Sequence, residues 1–153
     1  MPVTGVQTCA LPICGIFAFG DAAFHGSMGG STLNAPVVGL AGDPSGAGYW
    51  LVGTDGGIFA FGDATFHGSA GSLSLNAPVM GMATDAAGTG YWLVGTDGGI
   101  FAFGGAPFRG SAGSLHLQAP IVGMTADHAT EGYWLVGADG GIFAFGAPFV
   151  GAS

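Results

Sequence analysis

Positive charge is almost absent from this sequence. The 153 residues include no lysine and a single arginine, Arg109, against nine acidic residues, and the formal net charge is −8. Clustered lysine and arginine side chains are what neutralise phosphate groups. The composition therefore excludes a nucleic-acid partner and a polybasic anchor on a membrane surface.

Cysteine and long hydrophobic runs are also scarce. Cys9 and Cys14 are the only cysteines, too few for a four-ligand metal site, and their spacing matches no metal-binding pattern. Glycine, aspartate or serine interrupts every apolar run well short of the roughly 20 residues that a membrane helix needs. We therefore expect no metal, no other cofactor and no membrane insertion.

Glycine and aromatic residues are abundant instead. The chain contains 33 glycines, 8 prolines and 12 phenylalanines. So much glycine and proline indicates either a low-complexity chain or one with many tight turns. The phenylalanines favour tight turns, because disordered segments are poor in aromatic residues.

The sequence repeats itself every 42 residues. GYWLVGTDGGIFAFG occurs at 48–62 and again, unchanged, at 90–104, and it returns at 132–146 with Ala138 in place of threonine. There are three full units and part of a fourth. A fixed period of this length is typical of repeat architectures.

One unit is predicted to contain four short strands. These are PVVGLA at 36–41, YWLV at 49–52, IFAF at 58–61 and TFHGS at 65–69, with a tight Asp-Gly turn at 54–57. Four antiparallel strands in about 40–45 residues are typical of a β-propeller blade. The predicted fold is therefore all-β, a partial propeller of about three and a half four-stranded blades, with a β-hairpin solenoid as the alternative.

The alternation within the third strand predicts how blades pack. Phe59 and Phe61 fall on one face of the strand and Ile58 and Ala60 on the other, so both faces are apolar. We expect neighbouring sheets to cover both faces. The sheets at the ends of an open arc would lack such a neighbour, and the predicted partners there are missing blades or other copies of the chain.

The extent of the repeat divides the sequence into two regions. Residues 1–14 match no unit, and the segment at 3–13 resembles a translated sequencing-adapter oligonucleotide, so we interpret this leader as non-native, with a genuine leader or linker as the alternative. Residues 15–153 are predicted to form the partial propeller. It comprises a half blade at 15–29 and blades at about 36–69, 78–111 and 120–151.

The repeat resembles one found in secreted actinobacterial proteins. In that family YWLV-x-x-DGGIF-x-FGDA-x-F-x-GS and LN-x-PVVGMA recur, and the resemblance covers Gly15 to Ser153. It implies a propeller of the kelch or YVTN type, an extracellular or cell-surface location and fusion to other modules, but no known activity. The chain departs from the pattern where Gly105 and Ala147 replace the aspartate of FGDA.

The candidate binding residues are the aspartates of the recurring turn, Asp55, Asp97 and Asp139. A ring of carboxylates could bind a metal or a sugar, but an aspartate in every such turn is better explained by hydrogen bonds to nearby backbone N–H groups. Other recurring polar or aromatic positions are interpreted as structural. They are the hairpin aspartates Asp43, Asp85 and Asp127, which we expect to be exposed, the outer-edge residues His25, His67 and Arg109, and the core tryptophans Trp50, Trp92 and Trp134.

No pattern in the sequence predicts catalytic residues. There is no G-x-S-x-G elbow, and no histidine cluster has ligand spacing. We therefore expect a non-catalytic recognition or scaffold module with a protein or glycan partner, whose contact face carries the Asp-Gly turns and the loops between units. The alternatives are a lectin-like propeller and the non-catalytic part of a propeller-containing hydrolase or lyase.

Overall fold

The computed structural model describes residues 15–151, so the predicted leader at 1–14 and both cysteines lie outside the described residues. Within that range the chain forms nine strands and no helix. The strands are β1 (Val37–Gly42), β2 (Gly48–Gly53), β3 (Ile58–Gly62), β4 (Val79–Thr84), β5 (Gly90–Gly95), β6 (Ile100–Gly104), β7 (Ile121–Asp127), β8 (Gly132–Gly137) and β9 (Ile142–Phe145).

The strands form three antiparallel sheets, one for each repeat unit. The strand orders are β1-β2-β3, β4-β5-β6 and β7-β8-β9, and the register repeats from sheet to sheet. In the first sheet, Trp50 lies between Ala41 on β1 and Ala60 on β3. These small partners leave room for the indole on its face of the sheet. The prediction of an all-β fold with antiparallel strands is confirmed.

The prediction of a fourth strand at 65–69 is wrong. The indole Nε1 of Trp50 donates to the carbonyl of Thr65 at 2.8 Å, and the hydroxyl of Tyr91 donates to the carbonyl of Gly68 at 2.6 Å. The same hydroxyl accepts the N–H of His67 at 2.9 Å. Because side chains supply these hydrogen bonds, the backbone of this extended segment does not depend on pairing with β3.

We call this stretch and its equivalents the bridging segments, which are residues 23–27, 65–69, 107–111 and 148–151. Tyr49 and Tyr133 hold the first and third in the same way as Tyr91 holds the second. Burial raises the pKa of Tyr91 and of Tyr133 above the ordinary value of 10.0. Each hydroxyl therefore stays protonated and able to donate at neutral pH.

Glycine is required where a bridging segment meets the next sheet. Gly68 has a φ of 126°, and a Cβ there would lie 2.8 Å from Cδ1 of Phe103. The equivalent residues Gly26 and Gly110 have φ values of 125° and 129° and face Phe61 and Phe145 in the same way. A side chain at these positions would hold neighbouring sheets apart.

The predicted half blade at 15–29 also lacks its strands, because residues 15–36 contain no strand in the structure. The sequence IFAF at 16–19 matches β3 but forms no strand in the structure. The segment instead packs with Ala18 buried.

Neighbouring sheets bury their faces against each other, as the alternation in the sequence predicts. Trp50, Val52 and Ile58 point from the first sheet into a core that Tyr91 and Leu93 enter from the second. The second and third sheets repeat this core with the equivalent residues. Trp50 and Trp92 are fully buried, which confirms their interpretation as core residues, whereas Trp134 is only partly buried.

The three sheets diverge from one side of the array. The first strands β1, β4 and β7 contact one another in sequence order, whereas no Cα atom of β3 lies within 8 Å of β6, nor one of β6 within 8 Å of β9. Neighbouring sheets are therefore closer at their first strands than at their third strands. No sheet in residues 15–151 closes on itself.

We expect Tyr91→Phe to lower the free energy of unfolding by about 1–3 kcal/mol, because it leaves the His67 N–H and the Gly68 carbonyl without their partner. Urea unfolding followed by tryptophan fluorescence measures this loss. The control is Phe66→Leu, an exposed position in the same bridging segment, for which we expect a change within about 0.5 kcal/mol. Equal unfolding free energies for Tyr91→Phe and the wild type would contradict the role of the bridging segment.

Candidate functional site

One end of the sheet array carries the Asp-Gly turns and the loops that join the units. We call it the loop end, formed by turns 54–57, 96–99 and 138–141 and loops 70–78 and 112–120. The opposite end, the tip end, carries the hairpins that join the first and second strands at 43–47, 85–89 and 127–131. The contact face expected from the sequence is the loop end.

Backbone hydrogen bonds fasten the turns and loops to one another. Thr54 donates its N–H to the carbonyl of Pro36 at 3.0 Å and accepts the N–H of Val79 at 2.9 Å. Thr96 makes the same pair of bonds with Pro78 and Ile121. Each turn thus connects the beginning of its own sheet to the beginning of the next. The loop end is a structured surface built largely by main-chain atoms.

The three candidate aspartates make the same contact in their own turns. Oδ1 of Asp55 accepts the N–H of Gly57 at 2.9 Å, and Asp97 and Asp139 do so with the glycine two residues later at 2.9 and 3.0 Å. This is the turn role favoured by the sequence pattern. The structure does not bring them together as a metal site, since residues 15–151 contain no group of three or more histidine, cysteine, aspartate or glutamate residues suited to an ion.

A cavity opens at the loop end beside the second turn. It is shallow and open to solvent, with a volume of about 410 Å³. Thr96 and Asp97 form one wall, and the loop from Gly113 to Pro120 forms the other. Of the three candidate aspartates, Asp97 is the one that lines this cavity. The sequence pattern predicted the aspartate but not the cavity.

Two residues distinguish this loop from its equivalent in the preceding unit. His116 and Gln118 stand where the preceding loop has Ser74 and Asn76. Both are exposed and both line the cavity. Sequence comparison between units could have singled out these two departures.

The only arginine lies away from this cavity, in a bridging segment. Arg109 donates Nε to the carbonyl of Glu131 and Nη2 to the carbonyl of Thr130, both at 3.2 Å. His67, at the equivalent position, places Nε2 3.3 Å from the carbonyl of Gly88. The expected role at the outer edge was solubility, but these side chains contact the next hairpin at the tip end.

The hairpin aspartates differ in exposure more than the sequence predicts. Asp85 is only 3% exposed and accepts hydrogen bonds from the N–H and hydroxyl of Thr89 at 2.8 and 2.6 Å. Asp127 is more accessible, and the hydroxyl of Thr130 lowers its pKa below the usual value. These carboxylates act within their own hairpins, and the expectation of an exposed side chain is wrong for Asp85.

A row of exposed phenylalanines follows the bridging segments. Phe66, Phe108 and Phe149 occupy equivalent positions in successive units and are 56%, 60% and 62% exposed. Large apolar side chains that recur on a surface are a feature of contact sites. This row is a second candidate surface, distinct from the loop end.

Comparisons with known proteins add no assignment. No protein-family model matches the chain, and a search of curated proteins found no significant match. In the part of the chain that the structure covers, no helix is long and apolar enough to cross a membrane.

We expect Asp55→Ala to lower the free energy of unfolding by about 0.5–1.5 kcal/mol, because the N–H of Gly57 loses its acceptor. Asp55→Asn keeps an oxygen at the same place and should stay within about 0.5 kcal/mol of the wild type. Urea unfolding of both variants makes the comparison. Equal losses in the two would show that the charge, rather than the turn hydrogen bond, stabilises the fold.

Proposed function

We propose that this chain is a non-catalytic recognition or scaffold module that acts outside the cell and belongs to a β-propeller arc of the secreted repeat type. The observation that carries the proposal is the structured loop end with its cavity. Its backbone is held by hydrogen bonds between consecutive units, while exposed side chains such as Leu73 and Leu115 face outward. A rigid backbone that presents variable side chains suits recognition.

The divergence of the sheets supports the propeller arrangement. First strands in contact and third strands apart are what wedge-shaped blades around an axis require. The bridging segment follows β3 in the chain and runs back from the tip end to the loop end, as the fourth strand of a blade does. This segment therefore takes the place of an outer strand in the proposed blade, and side-chain hydrogen bonds hold it instead of strand pairing.

The first sheet supports the proposal that a further unit of the same kind packs beside it. Val37 and Leu40 are 37% and 51% exposed, whereas the equivalent Val79 and Met82 are 1% and 9% exposed. The second and third sheets bury this surface against the Trp-bearing face of the preceding sheet. The bridging segment at 23–27 already packs on this side, so the complementary occupant is the Trp-bearing strand of such a unit, and a second copy can supply it in solution.

We expect the wild-type chain to associate as its concentration rises and Leu40→Glu to associate more weakly, because a charge on this face would be desolvated by the contact. Sedimentation velocity at several concentrations measures the change. Leu73→Glu, which adds the same charge at the loop end, is the matched control. A wild type that stays monomeric at every concentration would contradict this part of the proposal.

Double substitutions of exposed apolar residues can locate the recognition surface. We expect the wild-type chain to bind members of a peptide array, and the double variant Leu73→Ser with Leu115→Ser to lose that binding. The double variant Phe66→Ser with Phe108→Ser is the matched control, because it removes exposed side chains from the same two units. Binding that survives the loop-end variant, or no binding by the wild type, would contradict a recognition role for the loop end.

The row of exposed phenylalanines favours one alternative, a lectin-like module. Aromatic faces spaced by the repeat can stack on successive rings of a glycan, with each unit adding one contact. A glycan array carried out with the same variants separates the two functions. Glycan binding that is lost with the phenylalanine variant and kept by the loop-end variant would favour the lectin.

A further inference from the structure

The carboxylate of Asp97 has one oxygen committed to the fold and one available to a ligand. Oδ1 accepts the N–H of Gly99 at 2.9 Å, which fixes the orientation of the side chain. Oδ2 accepts no hydrogen bond from residues 15–151. The carboxylate lines the 410 Å³ cavity and is half-buried. A fixed, partly desolvated carboxylate attracts a cation more strongly than a fully solvated one does.

Among residues 15–151, no lysine or arginine pairs with this carboxylate, and His116 is the one basic side chain that lines the same cavity. Arg109 is the only arginine, lysine is absent, and the Arg109 guanidinium is bound to the carbonyls of Thr130 and Glu131 at the tip end. The net charge of −8 adds an attractive field for any positively charged partner. Charge complementarity thus selects a cationic ligand for the cavity.

The remaining walls of the cavity suit an aliphatic stem. Leu115, Leu117, Ala119 and Pro120 supply apolar surface opposite the turn, and the pocket opens to solvent. A lysine side chain buries its four methylenes along apolar surface and carries its charge at the tip. Thr96 lines the same cavity, and a threonine hydroxyl can accept a second hydrogen bond from an ammonium group.

We propose that this cavity binds a lysine side chain of a protein partner, with the ammonium group on Oδ2 of Asp97 and the methylenes against Leu115 and Leu117. The inference rests on the proposed recognition function and names the chemistry of its ligand. Asp139 occupies the same kind of turn and is exposed, but no connecting loop among the described residues stands opposite it. It therefore provides a matched position with the charge but without the walls.

The test titrates the isotope-labelled chain with the peptide acetyl-Gly-Lys-Gly-amide and follows backbone amide shifts by NMR. We expect saturable shifts at Gly99 and Leu117, with affinity weaker by about threefold to fivefold in Asp97→Asn, the range for a partly exposed ion pair. Asp139→Asn should bind as the wild type does. Acetyl-Gly-norleucine-Gly-amide, which keeps the stem and lacks the charge, should bind several-fold more weakly.

Four results would overturn the inference. They are no saturable shift with the lysine peptide, equal binding of the norleucine peptide, equal losses in Asp97→Asn and Asp139→Asn, and tighter binding of free n-butylamine than of the lysine peptide. Equal losses would indicate general attraction to acidic turns, and preference for n-butylamine would assign the cavity to free amines. Because Asp97→Asn keeps the oxygen that accepts the Gly99 N–H, its effect reports on charge rather than on folding.

The peptide-array experiment distinguishes a failure of this inference from a failure of the proposed function. If the loop-end variant loses binding to array peptides that contain no lysine, recognition stands and the lysine assignment fails. If the lysine peptide binds at Asp97 but the loop-end variant leaves array binding unchanged, the cavity binds lysine and the proposed recognition surface fails.

Discussion

One tyrosine hydroxyl per unit holds neighbouring sheets together. Tyr91 enters the core from the second sheet, and its hydroxyl accepts the N–H of His67 and donates to the carbonyl of Gly68 in the bridging segment of the first unit. Separation of the sheets would leave these backbone groups unpaired and expose the core at the same time. The repeat units therefore depend on their neighbours, as in other repeat proteins whose stability resides in unit interfaces.

Local patterns were sufficient to predict three strands in each unit. Alternation placed Ile58 on one face and Phe59 on the other, and the Asp-Gly turn closed the hairpin as expected. The fourth strand was not predictable from its own residues. Its state depends on Trp50 and Tyr91, which lie 15 and 23 residues away from the carbonyls that accept their hydrogen bonds, and strand propensity carries no information about such contacts.

The candidate site was predictable to a similar depth. An aspartate recurs at the position of Asp97 in each full unit, and this recurrence was enough to predict the turn. The hydrogen bond within the turn follows from local chemistry. The cavity depends on the course of the loop from Gly113 to Pro120, whose sequence has neither a strand nor a helix period from which that course could be predicted. The burial of Asp85 was likewise missed, because a hairpin tip is exposed in an isolated unit and is covered only within the array.

The hydrogen bonds that Thr54 and Thr96 make at the loop end use main-chain atoms only. Side chains on this surface, other than the turn aspartates, can consequently change without altering the geometry that positions them. Natural variants or designed libraries could change the side chains of the loop from Gly113 to Pro120 while the spacing between units stays constant. New ligand specificities could therefore evolve on this surface without a change in the fold.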